Sequence, residues 1–164
     1  MSHAITAILL KGSYDKEMAQ KYDLMGIPLG FDITMFHIDH YYSACWQKQL
    51  GTSGYLETHG IKHACFPNEA VISRLISSIS TRANPQYAII LTDYFGGQGE
   101  QYANVFEKDQ LASKNVTTIN QALSFLGIIT RNGVDEFETI GLGAHRAQPE
   151  YLEKYIGRAE ELGV

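Results

Sequence analysis

The sequence predicts a single domain, spanning residues 1–164, of α/β or α+β class: a mixed β-sheet of about five strands, including one antiparallel hairpin, with helices packed on it. Three observations predict this class. Short apolar runs typical of strands alternate with amphipathic stretches of helical period. A glycine-rich turn separates two of the strand-like runs. The length of 164 residues, with 45% hydrophobic and 19% charged residues, is that of one domain with a sizeable core.

The first elements are predicted to be a strand, a helix and a second strand. Residues 4–10 are an apolar run typical of a buried strand. Ser13 is in position to cap a helix that Gly26 and Pro28 would end. Residues 29–35 alternate apolar and polar side chains, as one strand with a single buried face does.

A second helix and a long loop are predicted next. His37 continues the register of the preceding strand, and Asp39 can cap a helix that Gly51 ends. Residues 51–65 have no clear period, which predicts a loop, with a short strand around Ile61 as an option.

The central region predicts the clearest helix and the middle of the sheet. Pro67 suits the first position of a helix that Asn84 and Pro85 break. Its apolar face consists of Val71, Ile72, Leu75, Ile76 and Ile79. Residues 87–91 are a continuous apolar run, which predicts a central strand covered on both sides.

The last part of the chain supplies the hairpin and three further elements. A glycine-rich turn precedes a strand at residues 102–106. A helix is predicted to begin at Thr117 or Thr118, a last strand to span residues 137–142, and a final helix to begin at Pro149. The predicted order is therefore β-α-β-α-α-β-β-α-β-α.

The glycine-rich stretch at residues 96–99 also invites comparison with a phosphate-binding loop. A Walker loop needs a Lys-Ser/Thr pair entering a helix, and the dinucleotide fingerprint needs a small residue where Tyr102 stands. Glu100 would repel a phosphate. We therefore interpret the stretch as a flexible hairpin turn that uses the positive φ angles of glycine.

The charge pattern disfavours several classes of function. Thirteen basic and eighteen acidic residues give a net charge of −5, and the basic residues are scattered, so nucleic-acid binding is not expected. The N-terminus does not resemble a signal peptide and no apolar run is long enough to span a membrane, which predicts a cytoplasmic protein without membrane contact. Self-association as a two-fold homodimer is the default expectation for such a domain.

Histidines and cysteines within one stretch of the chain raise the question of a metal site. They are His37, His40, Cys45, His59, His63 and Cys65. Structural zinc usually has ligand pairs with two to four residues between them, whereas only one residue separates His63 from Cys65, and Gly60 weakens a helix through His59. Isolated histidines are the favoured interpretation, so no metal and no cofactor is expected. Cys45 could act as a nucleophile with a distant histidine, but small packed side chains are favoured for both cysteines.

Polar, titratable side chains follow several of the predicted apolar strands. Because ligands collect beyond the carboxyl ends of parallel strands, the sequence predicts a shallow cleft. Its residues are His40, Asp93, His145 and Arg146. Arg146 would stand just before the final helix, whose free amides attract anions, so a small anionic ligand is one expected partner. The alternative is that these residues have no function, since strand ends are exposed to water and polar side chains collect there for that reason alone.

Two functions of different classes remain open, and the sequence names no reaction. The first is a binding or regulatory protein of the kind that inhibits, or confers immunity, by neutralising a protein partner. The second is a small hydrolytic or acid–base enzyme with His40 or His145 as general base, oriented by Asp93, and Arg146 holding an anion. A flat patch of aromatic side chains with acidic neighbours would favour the first, and a concave pocket lined by histidine and arginine the second.

Overall fold

A seven-stranded sheet forms the centre of the molecule, and the computed structural model describes residues 2–164 of the chain. The strands are β1 (Ser2–His3), β2 (Thr6–Lys11), β3 (Gly26–Gly30), β4 (Ile33–His37), β5 (Gln86–Phe95), β6 (Gln98–Glu107) and β7 (Gln110–Leu111). Their order is β3-β4-β2-β5-β6-β7, with β1 beside the far end of β5. Every pairing between these named strands is antiparallel. The predicted class, a sheet with a hairpin and packed helices, is confirmed.

Helices cover both faces of this sheet. They are α1 (Lys16–Lys21), α2 (His40–Gln49), α3 (Val71–Ile79), α4 (Ile119–Phe125), α5 (Glu136–Ile140) and α6 (Lys154–Leu162), with short 3-10 helices at Leu142–Ala144 and Glu150–Glu153. Residues of α1, α2, α3 and α6 pack on one face, and residues of α4 and α5 pack on the other. Within residues 2–164, no helix is long and apolar enough to cross a membrane.

Two apolar cores follow from the alternation of side chains along the strands. In β2, Ile8 and Leu10 pack towards α2, α3 and α6, whereas Ala7 and Leu9 pack towards α4 and α5. All four side chains are fully buried. The predicted central strand over residues 87–91 is confirmed as part of β5, because its alternate residues enter both cores.

Two helix caps are predicted correctly from the sequence. The carboxylate of Asp39 accepts the N–H of Tyr42 (2.7 Å) at the start of α2. The hydroxyl of Thr118 accepts the N–H of Gln121 (3.3 Å) at the start of α4, and the Gln121 side chain accepts the Thr118 N–H in return. Pro149 precedes the 3-10 turn that leads into α6, as predicted.

Two predicted helix starts lie too early in the chain. Asp15, not Ser13, caps α1, because its carboxylate accepts a backbone N–H in the first turn. Helix α3 begins at Val71 rather than at Pro67, since Glu69 is held in a β-bridge to the preceding loop.

The single strand predicted over residues 29–35 is wrong, because the chain turns back within it. Strands β3 and β4 form a hairpin whose connecting residues, Phe31 and Asp32, have φ angles of 54° and 60°. The Lys11 ammonium donates to the carbonyl of Phe31 (2.9 Å), and the Gly12 N–H donates to that of Asp32 (2.8 Å). The apolar alternation continues across this turn and conceals it.

The last predicted strand, at residues 137–142, is also wrong. The segment forms α5, which Asp135 caps by accepting the N–H of Glu138 (2.9 Å). Gly141 ends the helix in the left-handed conformation with a φ of 79°. The few apolar residues of this segment fit a short strand and a short helix equally well, so the Asp135 cap determines that a helix forms.

A buried asparagine holds the loop between α2 and α3 against the sheet. The side chain of Asn104 on β6 is fully buried, and its Oδ1 accepts the N–H of His59 (2.9 Å). Its Nδ2 donates to the carbonyl oxygens of His59 (2.9 Å) and Val116 (3.1 Å). The predicted loop at residues 51–65 is confirmed, without the optional short strand. It brings His63 to the hairpin of β5 and β6.

Candidate functional site

The β5–β6 hairpin extends beyond the helices that cover the middle of the sheet. Its two ten-residue strands pair over their full length, and the exposed part begins at Asp93. The predicted glycine turn is confirmed, with residues 96–97 at its tip. A Cβ at Gly99 would overlap the carbonyl oxygen of Asp93, so the close pairing of the strands requires glycine there.

Alternation gives the end of this hairpin two chemically different faces. Residues directly opposed across the pair share a face, and neighbours along one strand point to opposite faces. The first face, called the acidic face here, consists of Asp93, Phe95, Glu100 and Tyr102. The second face carries Thr92, Tyr94 and Gln101.

The acidic face combines negative charge with an exposed aromatic ring. Asp93 and Glu100 are directly opposed on the two strands, where like charges repel. Within residues 2–164, neither carboxylate forms an ion pair with Lys or Arg. Phe95 is 83% exposed, the highest value among the large hydrophobic residues of that range. The face therefore presents an exposed aromatic ring beside two carboxylates whose charge no Lys or Arg of residues 2–164 balances in an ion pair.

His63 contacts the acidic face without removing its charge. Its Nε2 donates to Oδ2 of Asp93 (3.0 Å), and its Nδ1 accepts the backbone N–H of Cys65 (3.2 Å). The second bond requires an unprotonated Nδ1, so the ring is the neutral Nε2–H tautomer. Partial burial and the Glu100 carboxylate raise the pKa of Tyr102, which keeps that hydroxyl neutral as well. Neither His63 nor Tyr102 therefore brings a positive charge to the acidic face.

The opposite face borders a cavity of about 360 Å³, called the hairpin cavity here. It lies between the hairpin, β1 and the segment that joins α4 to α5. Its walls include His3, Tyr94, Asn120, Asp135, Phe137 and Arg146. A volume of this size is within the range of small-molecule sites, about 300–1,000 Å³.

His3 is fixed on the cavity wall by hydrogen bonds at both ring nitrogens. Its Nε2 donates to the carbonyl oxygen of Leu142 (3.0 Å). Its Nδ1 accepts the hydroxyl of Thr92 (2.7 Å), which itself accepts the N–H of Ile5 (3.0 Å). This chain of bonds sets the neutral Nε2–H tautomer and occupies both nitrogens. His3 therefore anchors β1 and has no nitrogen left to act as a base.

The four residues predicted to form a cleft do not gather at one cavity. Arg146 lines the hairpin cavity, and its Nε donates to the carbonyl oxygen of Gly143 (3.2 Å). Asp93 lies on the other face of the hairpin, against His63.

His40 and His145 do not line the hairpin cavity. His40 is the first residue of α2, and its ring centroid is 4.1 Å from that of Tyr41. His145 follows the 3-10 helix and is close enough to His37 to affect its titration. Burial lowers the pKa of His37, the positive charge of His145 lowers it further, and a hydrogen bond to Gln148 opposes both.

Strand direction brings these residues to one edge of the sheet but does not make them one cleft, because Asp93 and Arg146 lie on opposite faces of the hairpin. Strands β4 and β5 both run antiparallel to β2, so their carboxyl ends share an edge, whereas β2 ends at the opposite edge. Residues 137–142 form no strand, so the parallel arrangement on which the cleft depended does not exist. The chain reaches the shared edge at residues 145–146 by another route, because the N–H of Ala4 donates to the carbonyl of Arg146 (2.9 Å).

Sequence reasoning missed Gln148, which joins three segments at that edge. Its Oε1 accepts Nδ1–H of His37 (2.9 Å) and the N–H of Thr6 (3.2 Å). Its Nε2 donates to the carbonyl of Ile38 (2.6 Å). All three partners are distant in sequence, so no local pattern marks this glutamine.

Neither cysteine takes part in a reactive constellation among residues 2–164. Cys45 is buried in α2, where its thiol contacts the carbonyl of Tyr155 (3.5 Å) and burial raises its pKa. Cys65 is half-buried. The interpretation of both as small packed side chains is confirmed. In the same range, no group of three His, Cys, Asp or Glu side chains is arranged to hold a metal ion.

No family model, no curated protein and no solved structure matches the chain. The functional argument therefore rests on the two faces of the hairpin.

Proposed function

We propose that this chain is a binding protein that recognises a basic protein partner through the acidic face. The observation that carries the proposal is the opposed pair of Asp93 and Glu100 beside the exposed ring of Phe95. A partner that places Lys or Arg between the carboxylates would remove a repulsion that the free chain retains. Burial of the Phe95 ring would add about 1.5–3 kcal/mol.

The net charge of −5 supports the same class of partner. Opposite charge steers a basic protein towards the chain and makes association sensitive to salt. We also propose a cytoplasmic location, since both cysteines are free. A two-fold homodimer, a further proposal that native mass spectrometry would test, would use another surface, because two acidic faces repel each other.

An acid–base enzyme is the second proposal, and the position of Arg146 in a cavity favours it. Its histidine base has less support. Asp93, assigned to orient His40 or His145, bonds to His63 instead. His63 itself would have to give up the Cys65 N–H in order to accept a proton. Binding therefore explains more of the geometry than catalysis does.

Quantitative affinity capture tests the binding proposal. Immobilised wild-type chain is compared with a D93N/E100Q double variant and with F95S, using proteins from the source cell. We expect basic proteins that the wild type retains, and that salt elutes, to be lost from both variants. The leading partner is then purified, and its Kd for each chain is measured by calorimetry.

A matched control removes two carboxylates from the other end of the hairpin. Glu107 and Asp109 are both exposed, so E107Q/D109N changes the net charge equally without touching the acidic face. Partner binding should survive in this control. If the two double variants lost partner binding equally, net charge and not the acidic face would account for the binding. Unchanged partner binding by D93N/E100Q would contradict the proposal.

A further inference from the structure

The walls of the hairpin cavity are held in place by hydrogen bonds that the lining side chains make to other parts of the chain. Gln101 accepts the N–H of Ile119 (2.9 Å), which fixes the hairpin wall to the start of α4. On the far wall, Asn120 donates to Asp135 (3.1 Å) and accepts the N–H of Phe137 (2.9 Å). These bonds join segments that are distant along the chain, so the cavity is largely preformed.

Three rings form a continuous row along this cavity. His3 and Tyr94 are directly opposed on β1 and β5, which brings neighbouring side chains to about 5 Å at Cβ. On its other side, the ring of His3 is 5.4 Å from that of Phe137. The planes of the His3 and Phe137 rings are tilted by 58° to each other, and His3 is held as a neutral ring, so the row forms an angled and uncharged aromatic wall. A planar ring of a ligand can stack on one ring of such a wall and meet the next edge-on.

Charged groups at the cavity select the rest of the ligand. Arg146 lines it, and a guanidinium carries five N–H donors, so it can hold a carboxylate alongside its contacts within the chain, of which the bond to Gly143 is one. The Asp135 carboxylate lines the same space and already accepts the N–H of Glu138 and the amide of Asn120. It would repel a second negative charge, which favours a ligand with one carboxylate.

We propose that the hairpin cavity binds a small aromatic monocarboxylate, with its ring on the row of His3, Tyr94 and Phe137 and its carboxylate on Arg146. The site is separate from the acidic face, so each proposal stands or fails alone. Benzoate is a suitable probe, because it consists of little more than the two groups that the cavity should recognise. Benzamide has the same shape without the charge.

The experiment is an NMR titration of the full chain with each probe. Benzoate is expected to shift the backbone amides of Tyr94, Gln101 and Phe137, and to bind at least about tenfold more tightly than benzamide. Arg146→Gln should remove this preference, and Arg146→Lys, which keeps the charge but loses the planar fork, should retain part of it. Arg131→Gln, at an exposed arginine outside the cavity, is the matched control and should change nothing.

Three results would overturn the proposal. The first is the absence of shifts at the cavity up to about 10 mM benzoate. The second is equal binding of benzoate and benzamide by the wild type. The third is an unchanged benzoate affinity in Arg146→Gln when its amide spectrum shows that the variant is folded. A variant that fails to fold leaves Arg146→Lys and the benzamide comparison to decide.

Discussion

The two faces of the hairpin end share one backbone but differ in how their polar groups are satisfied. On the cavity side, Thr92 joins the ring of His3 to the N–H of Ile5, so each polar group has a partner within the chain. On the acidic side, Asp93 and Glu100 oppose each other, with only uncharged groups beside them, His63 next to Asp93 and the Tyr102 hydroxyl next to Glu100. Polar groups that are hydrogen-bonded within the chain hold a cavity in a fixed shape, which suits a small ligand. Carboxylates that repel each other are stabilised when a partner of opposite charge binds.

The largest expected effect on stability comes from a substitution that releases the loop carrying His63, and with it the contact of His63 with the acidic face. Asn104→Ala removes the bonds to His59 and Val116 and leaves the buried carbonyl of Val116 and the partly buried backbone groups at His59 without these partners. We expect the free energy of unfolding to fall by roughly 2–4 kcal/mol, since each unsatisfied group costs about 1–3 kcal/mol. Urea denaturation measures the loss, and faster reaction of Cys65 with a thiol reagent reports release of the loop.

The matched control is Asn115→Ala, at an exposed asparagine on the connection to α4. Its unfolding free energy should stay within about 0.5 kcal/mol of the wild type. Benzoate binding in the hairpin cavity should survive Asn104→Ala, because none of its walls belongs to the released loop. Slow thiol reaction in this variant would mean that the loop is held by other contacts.

What the sequence reveals about this molecule depends on the range of the interaction. Asp39 and Thr118 cap helices through bonds to residues three positions away, so their role can be read locally. Asn104 and Gln148 bond to segments far along the chain, and nothing nearby in sequence distinguishes them from surface amides. Phe31 is a separate case, because a bulky residue rarely adopts a positive φ and its place in a turn contradicts its propensity.

The same limit explains the candidate site. The glycine turn and the strands on either side of it follow from local signals, namely the glycines and the two apolar runs, and the sequence predicts them correctly. Strand direction is a property of the whole sheet. Asp93 and Arg146 reach the same edge of the sheet, but alternation along β5 turns Asp93 to the face opposite the cavity that Arg146 lines.

A smaller loss of stability is expected when the hydroxyl of Thr92, on the wall of the hairpin cavity, is removed. Thr92→Val keeps the shape of a buried side chain but leaves the N–H of Ile5 without its acceptor and Nδ1 of His3 without its donor. We expect a loss of about 1–3 kcal/mol, or roughly 2–4 °C in Tm for each kcal/mol. Thermal unfolding measures it, and Thr92→Ser, which restores the hydroxyl, should recover most of the loss. Equal Tm values for the valine and serine variants would show that the bonds to Ile5 and His3 contribute nothing.

The smallest effect has the opposite sign and belongs to the acidic side. Glu100→Gln removes one member of the opposed pair with Asp93, so the folded chain should gain about 0.5 kcal/mol at low salt. The gain should shrink as salt screens the repulsion, which urea denaturation at low and high ionic strength measures. Glu107→Gln is the matched control on the same strand, because Glu107 is opposed by the uncharged Gln86 and has no repulsion to relieve. A loss of stability in Glu100→Gln would mean that the contact of the Glu100 carboxylate with the Tyr102 hydroxyl outweighs its repulsion by Asp93, and the reason to expect a basic partner protein would disappear with it.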